Sequence, residues 1–280
     1  MRMMIEDGFP ASACELNDMG VCVARGACGR LECDACLAVV TAGVEAMRLL
    51  PAAMAAAEPT RYFVPIATSP RAVITEASHQ RDFRLPLSPC VEAALRAAVA
   101  GAAGAVLAEV VGRDAELVEL TAIASLPGAA AQAVHSDSTW SGTSSKRQVT
   151  VFLALHDVLD ERAGPTRFVP ETHAPRCFPG GLWLPPNVDR VADRGGTLCF
   201  ALRGGDAVLM DALLWHGGGA NSSASARTLL SFTFEAARDA RRTTRTLRLD
   251  ELRSSRLAPK TAAYAESRAA RGRGRYRRRP

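Results

Sequence analysis

The chain has 280 residues, of which 48% are apolar and 22% charged, with a formal net charge of +5. This balance supports a buried core and excludes global disorder, and no stretch of about 18 uncharged apolar residues is present to form a membrane-spanning helix. From Arg238 onward 15 Lys and Arg stand against 4 Asp and Glu, leaving 19 basic and 25 acidic residues before it, so nucleic-acid binding by the whole chain is not expected.

The first twenty residues contain Glu6, Asp7, Glu15 and Asp18 and no hydrophobic run. No secretory or transit leader is expected, and the expected location is cytoplasmic. Five of the eight cysteines fall between residues 14 and 36. Cys33-x-x-Cys36 has the spacing of half a zinc site, but no well-spaced second Cys or His pair accompanies it. These cysteines are therefore read as small apolar residues in a reduced compartment. Residues 30–57 have helical periodicity, with Leu31, Ala35, Val39, Ala42, Ala46 and Leu49 along one side. Pro51 ends or kinks that helix. Residues 59–90 carry five prolines and read as loop with short strands. A second helix is expected from Ser88 to Ala108, with Ser88 as cap, Pro89 at the first position and Glu92 in the first turn.

After about residue 115 the pattern changes to short β-like runs at 116–123, 148–155, 197–201, 206–215 and 227–235, with Gly-rich breaks between them. Helices followed by many short strands predict a mainly β sandwich or barrel with helical support. The expected organisation is a support region over 1–114, a β core over 115–237, and a basic extension over 238–280 that ends in a flexible arginine-rich tail.

Five histidines are present, His79, His135, His156, His173 and His216. In the extended segment Ala133-Val134-His135-Ser136-Asp137, residues two apart point to the same side, so His135 and Asp137 can reach one point while Ser136 faces away. His216 ends an apolar run and precedes Gly217, Gly218 and Gly219, which permit close approach of another backbone or a ligand. Two histidines and one carboxylate make a candidate facial triad for non-haem Fe(II), with neighbouring coordination positions left open. Arg227 starts an alternating run in which Arg227, Leu229, Ser231 and Thr233 share one face. A buried guanidinium needs an anion, and its fork matches a carboxylate, so an iron site beside it implies a dicarboxylate co-substrate.

Four blocks now resemble the phytanoyl-CoA dioxygenase family of Fe(II)- and 2-oxoglutarate-dependent oxygenases. They are QAVHSD (132–137), VTVFLALHDV with AGPTRFVPETH (149–173), GDAVLMDALLWHGGGAN (205–221) and ARTLLSFTF (226–234). Residues 16–40 resemble the family's entry strand and first helix more weakly. The resemblance implies a double-stranded β-helix (jelly-roll, cupin-like) core with His135, Asp137 and His216 as iron ligands. It also implies Arg227 as the partner of the distal carboxylate of 2-oxoglutarate, and Thr150 is read beside it as a candidate co-substrate contact. O2 is the oxidant, ascorbate a supporting reductant, and succinate and CO2 the by-products. Retention of Asp137 implies hydroxylation rather than halogenation, at an unactivated C–H bond of a small-molecule or lipid-like substrate. Two departures from the family pattern stand out. Glu171 replaces a small residue in the turn before His173, and Leu153 occupies a place where some members carry an aromatic residue near the co-substrate.

His156 and His173 are read as structural, and Trp140 and Trp215 as packing residues flanking the ligands. A rival reading is a non-catalytic β-helix binding module that uses its basic tail to hold nucleic acid or an acidic partner. The intact set His135, Asp137, His216 and Arg227 speaks against it.

Overall fold

The β-like runs of the second half form two facing sheets. The computed structural model describes residues 2–4, 9–48, 80–84, 87–140, 147–237 and 247–254. Its strands are β1 (Arg2–Met4), β2 (Val21–Ala24), β3 (Gln80–Arg84), β4 (Glu116–Ser125), β5 (Gln148–Ala154), β6 (Thr166–Val169), β7 (Leu198–Phe200), β8 (Ala207–Asp211), β9 (Trp215–Gly218) and β10 (Arg227–Glu235). The helices are α1 (Ala13–Met19), α2 (Arg30–Arg48), α3 (Pro89–Ala100), α4 (Ala102–Val110), α5 (Val188–Asp193) and α6 (Leu249–Arg253). A six-stranded sheet runs β2-β8-β5-β10-β4-β3 and a four-stranded sheet β1-β7-β6-β9. The pairings are antiparallel except β1 with β7. This is the double-stranded β-helix expected from the sequence.

The two-residue period of a strand sorts β5 and β10 into two faces. Val149, Val151, Leu153, Leu230, Phe232 and Phe234 join a core shared with the helices, where Cys36, Val40, Leu95, Val99 and Leu107 meet them. Phe152, Val208, Met210 and Leu229 lie on the other face, in a second core with Phe168 and Phe200 of the small sheet. A third cluster, Val169, Phe178 and Trp215, covers the outside of the small sheet.

Several elements differ from expectation for identifiable reasons. The buried stripe of α2 is Cys33, Cys36, Val40 and Val44, whereas Leu31 is 83% exposed. The cysteines pack as small apolar residues and so set the face of the helix. Residues 49–79, with Pro51 and most of the proline-rich stretch, lie outside the described residues. The helix expected over 88–108 begins at its Ser88 cap but is two helices bent by 74°. Gly101 leaves the helical region, and a Cβ on Gly104 would lie 1.8 Å from the Val99 carbonyl oxygen. The run 206–215 is divided by a turn in which Asp211 Oδ1 accepts from the Leu213 amide at 3.0 Å. Strands β2 and β3, from before residue 114, are part of the large sheet, and Leu247, Leu249 and Leu252 complete the helix-side core. The divisions at 114 and 237 are therefore both crossed by packing. Among the described residues no single helix is long and apolar enough to cross a membrane, and the bent pair α3–α4 buries Val91, Leu95, Val99 and Leu107 within the protein.

Candidate active site

The segment carrying His135 is held against β9 as a short extra strand. His135 and His216 exchange both backbone hydrogen bonds at 2.8 Å. Upstream, the Gln132 amide donates to the Gly218 carbonyl at 2.9 Å, and Gln132 Oε1 accepts from the Gly218 amide at 2.6 Å. A Cβ on Gly217 would approach the Ala133 carbonyl oxygen to 3.1 Å, which explains the need for glycine in this close pairing. Opposed residues of a non-local pair thereby present both imidazoles to one point, with ring centroids 4.4 Å apart.

Each imidazole is oriented by a carbonyl two residues upstream. His135 Nδ1 lies 3.0 Å from the Ala133 oxygen and His216 Nδ1 2.9 Å from the Leu214 oxygen. Such an acceptor requires the proton on Nδ1 and leaves the lone pair on Nε2, the arrangement in which a second-shell bond fixes a metal ligand. Asp137 Oδ1 is 3.4 Å from His216 Nε2 and 3.8 Å from His135 Nε2. One ligand atom from each of the three lies within 4.8 Å of the others. Adjacent donors on an octahedral ion are about 3 Å apart, so the set fits a divalent metal with little movement. Ser136 points away and donates to the Ser138 carbonyl.

Electrostatics around the triad are consistent with this geometry. Burial pushes the Asp137 carboxyl upward, but His216 and His135 outweigh it and hold it below the usual carboxylate range. Burial pulls His216 down, yet the Asp137 carboxylate raises it above an ordinary histidine. His135 is lowered, by burial first and then by the nearby His216.

Thr150 stands near the ligand set and contributes to holding the Asp137 carboxyl below the usual carboxylate range. Its hydroxyl lies 3.0 Å from Thr233 Oγ1.

Arg227 begins β10 and is 2% exposed. One terminal nitrogen donates to Thr166 Oγ1 at 3.1 Å, Nε has no partner, and no acidic side chain pairs with it among the described residues. Burial pulls this guanidinium down to about 10. A narrow cavity lined by Phe152, Phe168 and Leu229 reaches Arg227, and the rings of Phe152 and Phe168 lie 6.3 and 6.4 Å from His216. Two of its walls, Phe152 and Phe168, thus stand between the cavity at Arg227 and the metal-type cluster. Thr166, Phe152 and Phe168 were not singled out from the sequence, although alternation from Thr150 and within Thr166–Val169 carries the signal. Leu153 faces the helices, and the aromatic Phe152, one position earlier, lines the cavity at Arg227.

The remaining candidates are engaged elsewhere. His156 Nε2 accepts from the Thr228 amide at 2.9 Å, and His173 Nε2 lies 2.9 Å from the Asn17 carbonyl oxygen. Trp215 is fully buried, whereas Trp140 is 40% exposed. Glu171 has φ 59°, a conformation that disfavours side chains bearing Cβ, which accounts for the small residue expected there.

The family model for phytanoyl-CoA dioxygenase (PhyH) matches residues 17–229. The chain belongs to the phytanoyl-CoA dioxygenase family. This membership makes it an iron- and 2-oxoglutarate-dependent oxygenase in class. A search of curated protein sequences returns no match. Among solved structures, the non-haem α-ketoglutarate-dependent epimerase SnoN of nogalamycin biosynthesis, complexed with Fe3+, α-ketoglutarate and nogalamycin RO, is 17% identical. It has a TM-score of 0.56 and covers 80% of this chain and 82% of its own. HygX from Streptomyces hygroscopicus, with nickel, 2-oxoglutarate and hygromycin B bound, is 18% identical with a TM-score of 0.53, covering 79% and 85%. The carbocyclase SnoK of nogalamycin biosynthesis is 15% identical with a TM-score of 0.56, covering 79% and 81%. At these identities the likeness is one of fold.

Proposed function

We propose that this PhyH-family protein hydroxylates an unactivated C–H bond of a small molecule, with His135, Asp137 and His216 holding Fe(II) and Arg227 holding 2-oxoglutarate. Iron, when bound, couples the oxidative decarboxylation of 2-oxoglutarate by O2 to attack on the C–H bond. The Ala133 and Leu214 carbonyls hold Nδ1 of each ring, so that the neutral imidazoles carry their lone pairs on Nε2 and aim them at the same point. Thr150, near Asp137, favours its ionised carboxylate. Arg227 and Thr166 receive the distal carboxylate, and the apolar walls Phe152 and Phe168 exclude water from the space between.

The observation that carries this reading is a two-histidine, one-carboxylate cluster packed on Phe152 and Phe168, whose rings also wall the cavity of a buried arginine that has no acidic partner among the described residues. The test is aerobic incubation with Fe(II), 2-oxoglutarate and ascorbate. Succinate formation supports the co-substrate assignment, and a +16 mass product from a metabolite pool supports hydroxylation. A product at unchanged mass or at −2 would replace hydroxylation by epimerisation or ring closure. Absence of succinate with iron bound would favour the non-catalytic binding module.

A further inference from the structure

A second cavity, of about 300 Å3, begins one residue beyond Asp137, where Ser138 lines it together with Gln148, two positions before Thr150 on the same face of β5. It is large enough for a small organic molecule and separate from the narrow space in front of Arg227. Trp140, Arg147 and Arg176 contribute to its wall.

The two arginines are electrostatically unequal. Arg147 donates to Asp211 Oδ2 at 3.0 Å and to Asn17 Oδ1 at 2.6 Å, so its charge is already compensated. Arg176 is held by the neutral backbone carbonyl of Asn17, and no acidic side chain pairs with it among the described residues. The third titratable group, His173, is pulled down by burial and then by Arg176 and Arg147, partly opposed by Asp211, and does not add a cation at neutral pH. Asp211, the one carboxylate among the described lining residues, is taken by Arg147. Among the described residues the cavity therefore has one uncompensated positive charge, set beside the flat apolar surface of the partly exposed Trp140 and the apolar Pro175 and Leu213.

We infer that this cavity seats the primary substrate as a small organic anion, with a carboxylate or similar group on Arg176 and an apolar body against Trp140. The inference rests on the proposed iron centre, because proximity to Asp137 is what makes the cavity's occupant the substrate. A guanidinium pairs a carboxylate through two parallel donors, and the aromatic face selects a flat or ring-bearing body.

The test uses 3-phenylpropionate and its neutral amide as probes, titrated calorimetrically into the full chain loaded with Ni(II) and saturating 2-oxoglutarate, so that the Arg227 seat is filled. The expected result is about tenfold tighter binding of the carboxylate than of the amide. Arg176→Gln should erase that difference, Arg176→Lys should keep part of it, and Trp140→Ala should weaken both probes alike. Equal binding of the two probes, no binding of either at millimolar concentration, or a preference that survives in Arg176→Gln would overturn the inference. The same titrations on metal-free protein separate the two readings. A chain that takes up neither Ni(II) nor 2-oxoglutarate but still prefers the carboxylate would refute the iron centre while leaving the anion site standing.

Discussion

The two faces of β5 and β10 share one backbone yet do different work. On the helix side, Val149, Val151, Leu153, Leu230, Phe232 and Phe234 form a dry, interlocked layer. On the inner side, Thr150 stands near a candidate metal ligand, Arg227 is buried without an acid among the described residues, and Phe152 walls the space between the sheets. A buried cation without a partner is unfavourable for folding, so the inner face spends stability that the helix-side layer supplies. The lesson is that alternation separates the stabilising residues from the functional ones at a resolution of one position. The step from Leu153 to Phe152 shows how sharp that boundary is.

This division can be broken most directly at the ligands. His216→Ala is expected to abolish Ni(II) or Fe(II) uptake and succinate formation, because two remaining ligands hold a divalent ion poorly, while thermal unfolding stays cooperative. Metal bound at wild-type stoichiometry would remove His216 from the centre. On the other face, Phe232→Ala should destabilise the protein by about 3–5 kcal/mol in denaturant unfolding, as for a fully buried aromatic residue, yet leave turnover per folded molecule close to wild type. A loss confined to turnover would merge the two faces.

Smaller effects sharpen the comparison within the inner face. Arg227→Lys keeps the charge but loses the two-pronged match to a carboxylate. At about 1.5–3 kcal/mol for a charge-assisted bond, the half-saturating 2-oxoglutarate concentration should rise roughly ten- to hundredfold, with iron affinity unchanged. Thr150→Val preserves shape and removes one hydroxyl. It should weaken metal binding by about tenfold, in the range found for groups that orient ligands, with Thr150→Ser restoring most of it. An unchanged metal affinity that coincides with a higher 2-oxoglutarate requirement would return Thr150 to the co-substrate. Least of all, Glu171→Gly should raise stability by about 0.5–1 kcal/mol, since glycine relieves the left-handed backbone at some entropic cost. The check is an increase of a few degrees at most in the thermal midpoint.

Much of this was legible in one dimension. The period-two runs located β10 at its observed bounds and β5 and β4 to within two residues, and Ser88-Pro89 marked the start of α3, because these signals act locally. The His135/Asp137 pair was legible for the same reason, since residues two apart in an extended segment face together. The stripe of α2 was misread because cysteine packs like a small apolar side chain, and the division of the helix over 88–108 was missed because the close contact at Gly104 is visible only in three dimensions. The sequence by itself determined which residues alternate, where the turns fall and which side chains can ligate or pair. Tertiary structure alone decided that β9 lies against residues 132–135, that Thr166 on β6 meets Arg227 on β10, and that Arg147 but not Arg176 finds a carboxylate. Those are pairings between residues far apart in the chain, set by sheet register and layer packing, which no local preference encodes.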